Sequence, residues 1–356
     1  MRSLFSLLIM SVITCRLSGQ STDISTFIDS YASSHKFSGT ILIQKNNQTL
    51  YNNSFGLANL QFGIPNTNES VYKIASVTKI FTSVLIMQLY EQGKIDLNSP
   101  VKTYIPDYPG KGADKITIRQ LLNHTSGLPY IGPKSKEEAV EKGMEEFQIP
   151  HTIDDAIRKY YSYDLVNEPG KVFSYNNGEY IILGKIIENI YGKSYEEVLI
   201  QQILKPLGMN NSGLLFQYKI IKNLSDSYFS MNDSSGLVND LPVYIQNWYS
   251  AGAMYSTISD LSKFSESLFS GKLLKQESLN LMLSPGLDDY GFGVWVYYLE
   301  LNGRKYKVIK RPGDIMGTKA QFVYLPDEYL SIIILANTDS ADLDDFSYQI
   351  ISHVVK

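Results

Sequence analysis

The chain of 356 residues holds one cysteine, Cys15, so no internal disulfide can form. It holds four histidines: His35, His124, His151 and His353. None belongs to a His-Glu-x-x-His motif or a Cys/His cluster, so neither a metal nor another cofactor is expected. Gly-x-Ser-x-Gly is missing, which removes the strand-to-helix elbow of one large class of Ser-His-Asp hydrolases. Basic residues are not in excess: 32 Lys and Arg face 36 Asp and Glu, for a net charge of -4. With no basic stripe either, nucleic acid is excluded as a partner. No apolar run is long enough to span a bilayer in the mature chain. Internal repeats, low-complexity tracts and flexible linkers are missing too.

The N-terminus reads as a secretory leader over residues 1–19. Arg2 supplies a positive start, Leu4 to Thr14 an apolar run, and Ser18 and Gly19 small residues before Gln20. The product is then expected to be secreted or periplasmic. A lipid anchor on Cys15 is the lesser alternative because Thr14 is large for such a site; a cytosolic protein with an apolar first helix is the other. The remainder, 44% hydrophobic and 19% charged overall, has globular composition. Its length exceeds one comfortable core, so two subdomains are expected.

Ile24, Phe27, Ile28 and Tyr31 mark a first helix. Phe37 to Gln44 and Thr49 to Phe55 read as strands joined at Asn46-Asn47. After Gly93 the texture becomes turn-rich and then helical: Ile116 to Leu122 capped near Thr117, Lys134 to Phe147, Thr152 to Tyr161, Tyr180 to Ile190 and Tyr195 to Ile203. Helix Ser259 to Phe269 follows, then strands Phe292 to Leu299, Arg304 to Lys310, Gln321 to Leu325 and Leu330 to Ala336. A closing helix carries Leu343, Phe346, Ile350 and Val354. The expected fold is α/β (α+β): an antiparallel sheet flanked by helices, built from both chain ends, with a mostly helical subdomain inserted. Residues 20–356 form one domain in this reading, with 20–85 and 250–356 as the α/β part and 86–249 as the helical part.

Three clusters carry chemistry. Ser76 and Lys79 open an apolar helix three residues apart, so the amine can lie beside the hydroxyl. Burial and the helix dipole both favour a neutral lysine, which would activate the serine. The plainer alternative makes Ser76 a helix cap. Tyr175 and Asn177 form Tyr-x-Asn in a loop before a strong helix. The phenol can shuttle protons if a cation lowers its pKa, and the amide can hold Lys79 and a substrate together. Arg311-Pro312-Gly313-Asp314 lies on or just after a strand. Arg311 could bind a substrate carboxylate there, and Gly313 would admit substrate backbone.

Together these clusters resemble the serine hydrolases that include class C β-lactamases, penicillin-binding D,D-peptidases, and related esterases and D-aminopeptidases. The resemblance runs from about Ile24 to the C-terminus. Leu121-Leu122-Asn123-His124-Thr125-Ser126-Gly127-Leu128, Glu168-Pro169-Gly170 and Ala251 to Thr257 add to it, in the same order. It implies an acyl-enzyme at Ser76, with Lys79 and Tyr175 moving protons and Asn177 positioning the substrate. It also implies an oxyanion hole made by the backbone N–H groups of Ser76 and Asp314. Arg311-Pro312-Gly313 departs from the family's Lys or His, then often Thr or Ser, then Gly. Pro312 brings no hydroxyl, which weakens the case for a true β-lactamase more than that for a peptidase or esterase. The expected partner is a small-molecule or peptide substrate: a D-amino-acid peptide, an ester or a β-lactam. A binding or sensing protein that acylates without turnover is the alternative from another class.

Overall fold

The computed structural model describes residues 17–133, 135–231 and 236–355. Residues 1–16 of the expected leader, Cys15 among them, lie outside the described residues. Six antiparallel strands make the main sheet: β1 (Gly39–Lys45), β2 (Gln48–Phe55), β3 (Trp295–Leu301), β4 (Arg304–Ile315), β5 (Thr318–Leu325) and β6 (Leu330–Ala336). Their spatial order is β3-β4-β5-β6-β1-β2, so the two chain ends meet where β1 pairs with β6. Asn46 and Asn47, at φ 51 and 60, turn β1 into β2. Asn302 and Gly303, at φ 52 and 75, do the same between β3 and β4.

Strand β6 reads Leu-Ser-Ile-Ile-Ile-Leu-Ala and is buried throughout, because helices cover both faces of the sheet. Side chains alternate across a strand, so the run is divided between two cores. Ile332 and Ile334 join the core under helices α1 (Leu17–Ser34) and α5 (Leu343–Val354). Ile333 and Leu335 join the core shared with α2 (Thr78–Glu91) and α4 (Ile258–Phe269). In the first core Tyr31 stacks on Phe346 at 3.9 Å, and Phe37 meets Phe346 edge-on at 5.9 Å.

The sequence reads α2 as an apolar, buried helix. The structure buries nearly its whole circumference, Thr82 and Ser83 included. The reason is position: α2 lies between the sheet and the helical insert, where an all-round buried helix is required. Its polar side chains are satisfied inside. Thr82 donates to Ser250 O at 2.6 Å, and Ser83 meets Tyr180 OH at 3.2 Å. The insert is led by α3 (Asn177–Tyr191), which ends at Gly192, φ 64. Two expectations shift. The helix expected over Lys134 to Phe147 is split into Lys136–Lys142 and Glu145–Gln148 by Gly143 at φ 77. The strand expected to end at Lys310 continues to Ile315, so Arg311, Pro312, Gly313 and Asp314 all lie on β4. Among the described residues no helix is long and apolar enough to cross a membrane.

Phe346 joins the closing helix to the first one and to the sheet, and it is fully buried. Phe346→Ala is expected to destabilise the chain by about 3–5 kcal/mol through the cavity it leaves. Urea denaturation measures this; a loss under about 1 kcal/mol would mean the helix docks by other contacts.

Candidate active site

Ser76 sits where a short strand meets a helix. Tyr72–Lys73 pairs with Met254–Ser256, which pairs in turn with Gly213–Leu214. Ile74 N–H donates to Met254 O at 2.9 Å, holding the start of the turn. Ala75 then takes φ 47, a left-handed conformation uncommon for a residue with a side chain. A 3-10 turn, Ala75–Val77, leads into α2. Thr78 Oγ1 donates to Ala75 O at 2.7 Å and accepts from Met254 N–H at 3.2 Å, so the turn is pinned from both sides. The residues capping the turn and α2, Ile74 and Val77, make no side-chain cap, so Ser76 does not serve as a helix cap.

Three chain segments converge on Ser76 Oγ. Lys79 Nζ donates to it at 3.1 Å, to Asn177 Oδ1 at 2.7 Å and to Ala251 O at 2.9 Å. Tyr175 OH lies 2.8 Å from Ser76 Oγ. Lys79 is wholly buried. Burial lowers its pKa to about 8; the Tyr175 phenol opposes this and the Arg311 charge assists it. For Tyr175 burial alone would raise the pKa. The cations of Arg311 and Lys79, with hydrogen bonds from Lys79 and Ser76, bring it down to about 8 instead. Both groups are therefore poised to exchange a proton near neutral pH.

Arg311 was expected to face a substrate carboxylate, but its guanidinium turns inward and is 1% exposed. Nε donates to Ser76 O at 2.8 Å, Nη1 to Tyr290 OH at 2.7 Å, and Nη2 to Tyr175 OH. Burial works against this charge, yet the phenols of Tyr175, Tyr290 and Tyr180 hold its pKa above the usual arginine range. Alternation along β4 explains the orientation. Arg311 and Gly313 share the face toward the Ser76 turn, while exposed Asp314 pairs with Lys319 on β5. Gly313 does admit a close backbone, but it is the chain's own. A Cβ there would stand 2.5 Å from Ile74 O and 3.2 Å from Ser76 N. Any larger residue would push β4 away from the Ser76 turn.

Ser76, Lys79, Tyr175, Asn177 and Arg311 thus form one hydrogen-bonded group, with Gly313 against it and Asp314 next along the strand. Tyr290 and the carbonyl of Ala251 complete the group and carry no motif of their own. In the sequence the stretch Ala251 to Thr257 is marked only by the family resemblance. Trp295 lies nearly parallel to the Tyr175 ring, 6.1 Å away.

The family model described as Beta-lactamase matches residues 24–353. The chain is 32% identical over 270 residues to the putative penicillin-binding protein PbpX of Bacillus subtilis (strain 168), covering 76% of this chain and 64% of that protein's length. It is 28% identical over 313 residues to the teichoic acid D-alanine hydrolase of Staphylococcus aureus (strain MRSA252), covering 86% of this chain and 72% of that one. Among solved structures, the octameric penicillin-binding protein homologue from Pyrococcus abyssi superposes with a TM-score of 0.78 at 28% identity. That match covers 94% of this chain and 77% of the other.

The pKa directions give a signed prediction. Below about pH 8 Lys79 and Tyr175 are both protonated and cannot accept the Ser76 proton, so acylation is expected to rise with pH through about 8. Arg311 lowers both pKa values, so Arg311→Met is expected to move that rise to higher pH. A profile of kcat/KM against pH reads the shift. An unmoved limb in Arg311→Met would show that the cation does not tune the pair.

Proposed function

The chain belongs to the beta-lactamase family, and within it we propose a serine hydrolase that works through an acyl-enzyme on ester or amide bonds, of the penicillin-binding peptidase and esterase type. The observation that carries this is the position of Ser76 Oγ, 3.1 Å from Lys79 Nζ and 2.8 Å from Tyr175 OH. Ser76 attacks the carbonyl, and its proton passes to the Lys79–Tyr175 pair. The tetrahedral oxyanion is held by the backbone N–H groups of Ser76 and Asp314; a donor of this kind is worth on the order of 2.7–4 kcal/mol. Tyr175 returns the proton to the leaving group. Water, activated by the same pair, then releases the acyl group. Asn177 orients Lys79 and a substrate amide. Arg311 holds Tyr175 toward the phenolate and supports the carbonyl side of Ser76.

Two observations favour a peptidase or esterase over a dedicated β-lactamase. Pro312 carries no hydroxyl beside the site. The Arg311 guanidinium is engaged with Tyr175, Tyr290 and Ser76, away from any substrate anion. Likeness to a teichoic acid D-alanine hydrolase and to penicillin-binding proteins supports D-alanyl esters or D-amino-acid peptides as the substrate class. We read residues 20–356 as one catalytic domain, with 86–249 as its helical part, and residues 1–19 as a leader that directs secretion.

Intact-protein mass after exposure to a fluorophosphonate and to a penicillin tests the reading. Ser76→Ala is expected to abolish both turnover and labelling. A fluorophosphonate adduct with no penicillin adduct supports an esterase or peptidase. A penicillin adduct that forms and clears would make the chain a β-lactamase. Labelling that survives in Ser76→Ala would remove Ser76 as the nucleophile.

A further inference from the structure

His124 is fully buried, yet it touches neither Ser76 nor Lys79 through a hydrogen bond, and the mechanism above does not use it. It follows the short helix Ile118–Leu122 and takes φ 58. Its bonds fall on either side of Tyr175. The carbonyl of His124 accepts from Ser174 N–H at 2.8 Å. Its Nδ1 accepts from Asn176 N–H at 3.3 Å. Its ring lies 4.4 Å from the Tyr175 ring and 4.9 Å from that of Tyr290, the phenol that shares Arg311 with Tyr175. One residue therefore holds the backbone before and after Tyr175 and packs against the ring between.

The imidazole is itself held. Glu179, on the first turn of α3, places Oε2 on His124 Nδ1 and accepts from Ser126 N–H through Oε1 at 3.3 Å. Because Nδ1 also faces Asn176 N–H, it presents its lone pair. With Nδ1 accepting from Asn176 N–H, the proton shared with Glu179 is assigned to the carboxyl and the ring proton to Nε2. Among the described residues Nε2 is buried without a hydrogen-bond partner, and the ring packs among those of Phe173, Tyr175, Tyr180 and Tyr290. Burial agrees with a neutral pair: it pushes Glu179 well above the usual carboxyl range. It also pushes His124 well below the usual imidazole range, helped by the charges of Lys79 and Arg311.

We propose that His124 and Glu179 are positioning residues: a neutral Glu179 carboxyl fixes the His124 imidazole, which clamps the chain on both sides of Tyr175 and keeps its phenol on Ser76. The neutral state also matters to Tyr175. An ionised Glu179 would set a buried negative charge near a phenol that must lose its proton. This inference rests on the serine-hydrolase reading.

The test compares His124→Asn with His124→Gln, and Glu179→Gln with Glu179→Ala. Readouts are kcat and KM on a p-nitrophenyl ester, the rate of Ser76 labelling by a fluorophosphonate, and a thermal melt for each variant. Asparagine can place Oδ1 where Nδ1 stood and tolerates positive φ; glutamine reaches past that point. His124→Gln is expected to lower kcat on the order of 10²-fold with KM changed by less than about twofold, as misplacement of a reacting group does. His124→Asn is expected to recover about tenfold of that loss. Glu179→Gln can donate to Nδ1 and accept from Ser126 as the protonated acid does, so it is expected to exceed Glu179→Ala. Wild-type kcat in His124→Gln, or equal losses in His124→Asn and His124→Gln, would overturn the clamp. Glu179→Gln as poor as Glu179→Ala would overturn the neutral pair. Wild-type protein that neither hydrolyses the ester nor labels at Ser76 would remove the hydrolase reading itself and the clamp with it. Activity in the wild type, none in Ser76→Ala and no loss in His124→Gln would remove the clamp alone.

Discussion

Lys79 is an amine in a place where an ammonium is expensive, and the rest of the site follows from that. An isolated buried charge loses several kcal/mol of hydration unless hydrogen bonds replace the water. Here Ser76 Oγ, Asn177 Oδ1 and Ala251 O receive its N–H groups. These acceptors come from the 3-10 turn before its own helix, from the start of α3 and from the segment before Met254–Ser256. Burying Lys79 therefore ties the Ala251 segment, the insert and the Ser76 turn to one atom. It also makes the amine easy to neutralise, since burial disfavours its charged form.

The same low-dielectric pocket holds a second cation, Arg311, with no carboxylate hydrogen-bonded to it among the described residues. Phenols take the part that carboxylates play in an ordinary ion pair. A phenol accepts hydrogen bonds while neutral and stabilises the cation further once ionised. Arg311 thus favours the deprotonated form of Tyr175 without cancelling the field that produces it. A carboxylate at Tyr290 would neutralise Arg311 and weaken that effect.

Backbone geometry explains how the groups stay in register. Ala75 at φ 47 lifts Ser76 out of the helix line, and the bonds from Ile74 and Thr78 to the Met254–Ser256 strand hold that conformation. Gly313 lets β4 settle directly against the turn. Ser76, Lys79 and the end of β4 thus rest on regular elements, while Tyr175 lies in the segment just before α3 and is held there by side-chain bonds.

Local features were legible in the residues alone, because short-range geometry controls them. Helical spacing places Ser76 and Lys79 on one face. Asn46-Asn47 and Asn302-Gly303 admit the positive φ of tight hairpins, and Thr117 and Thr257 cap the helices that follow. The alternation of helical and strand patterns was enough for a sheet built from both ends with helices inserted. Only the tertiary structure decided where the third cluster points. In the sequence Arg311 reads as a cation for a substrate carboxylate; the groups it bonds, Tyr175, Tyr290 and Ser76, arrive from distant segments. The partners of the buried Thr82 and Ser83 on α2 were likewise invisible, since periodicity cannot report a second layer packed on the other side. Ala251 O and the His124–Glu179 pair had no local signal either. A carbonyl has no side chain to read, and a carboxyl is made neutral by the burial that only folding imposes.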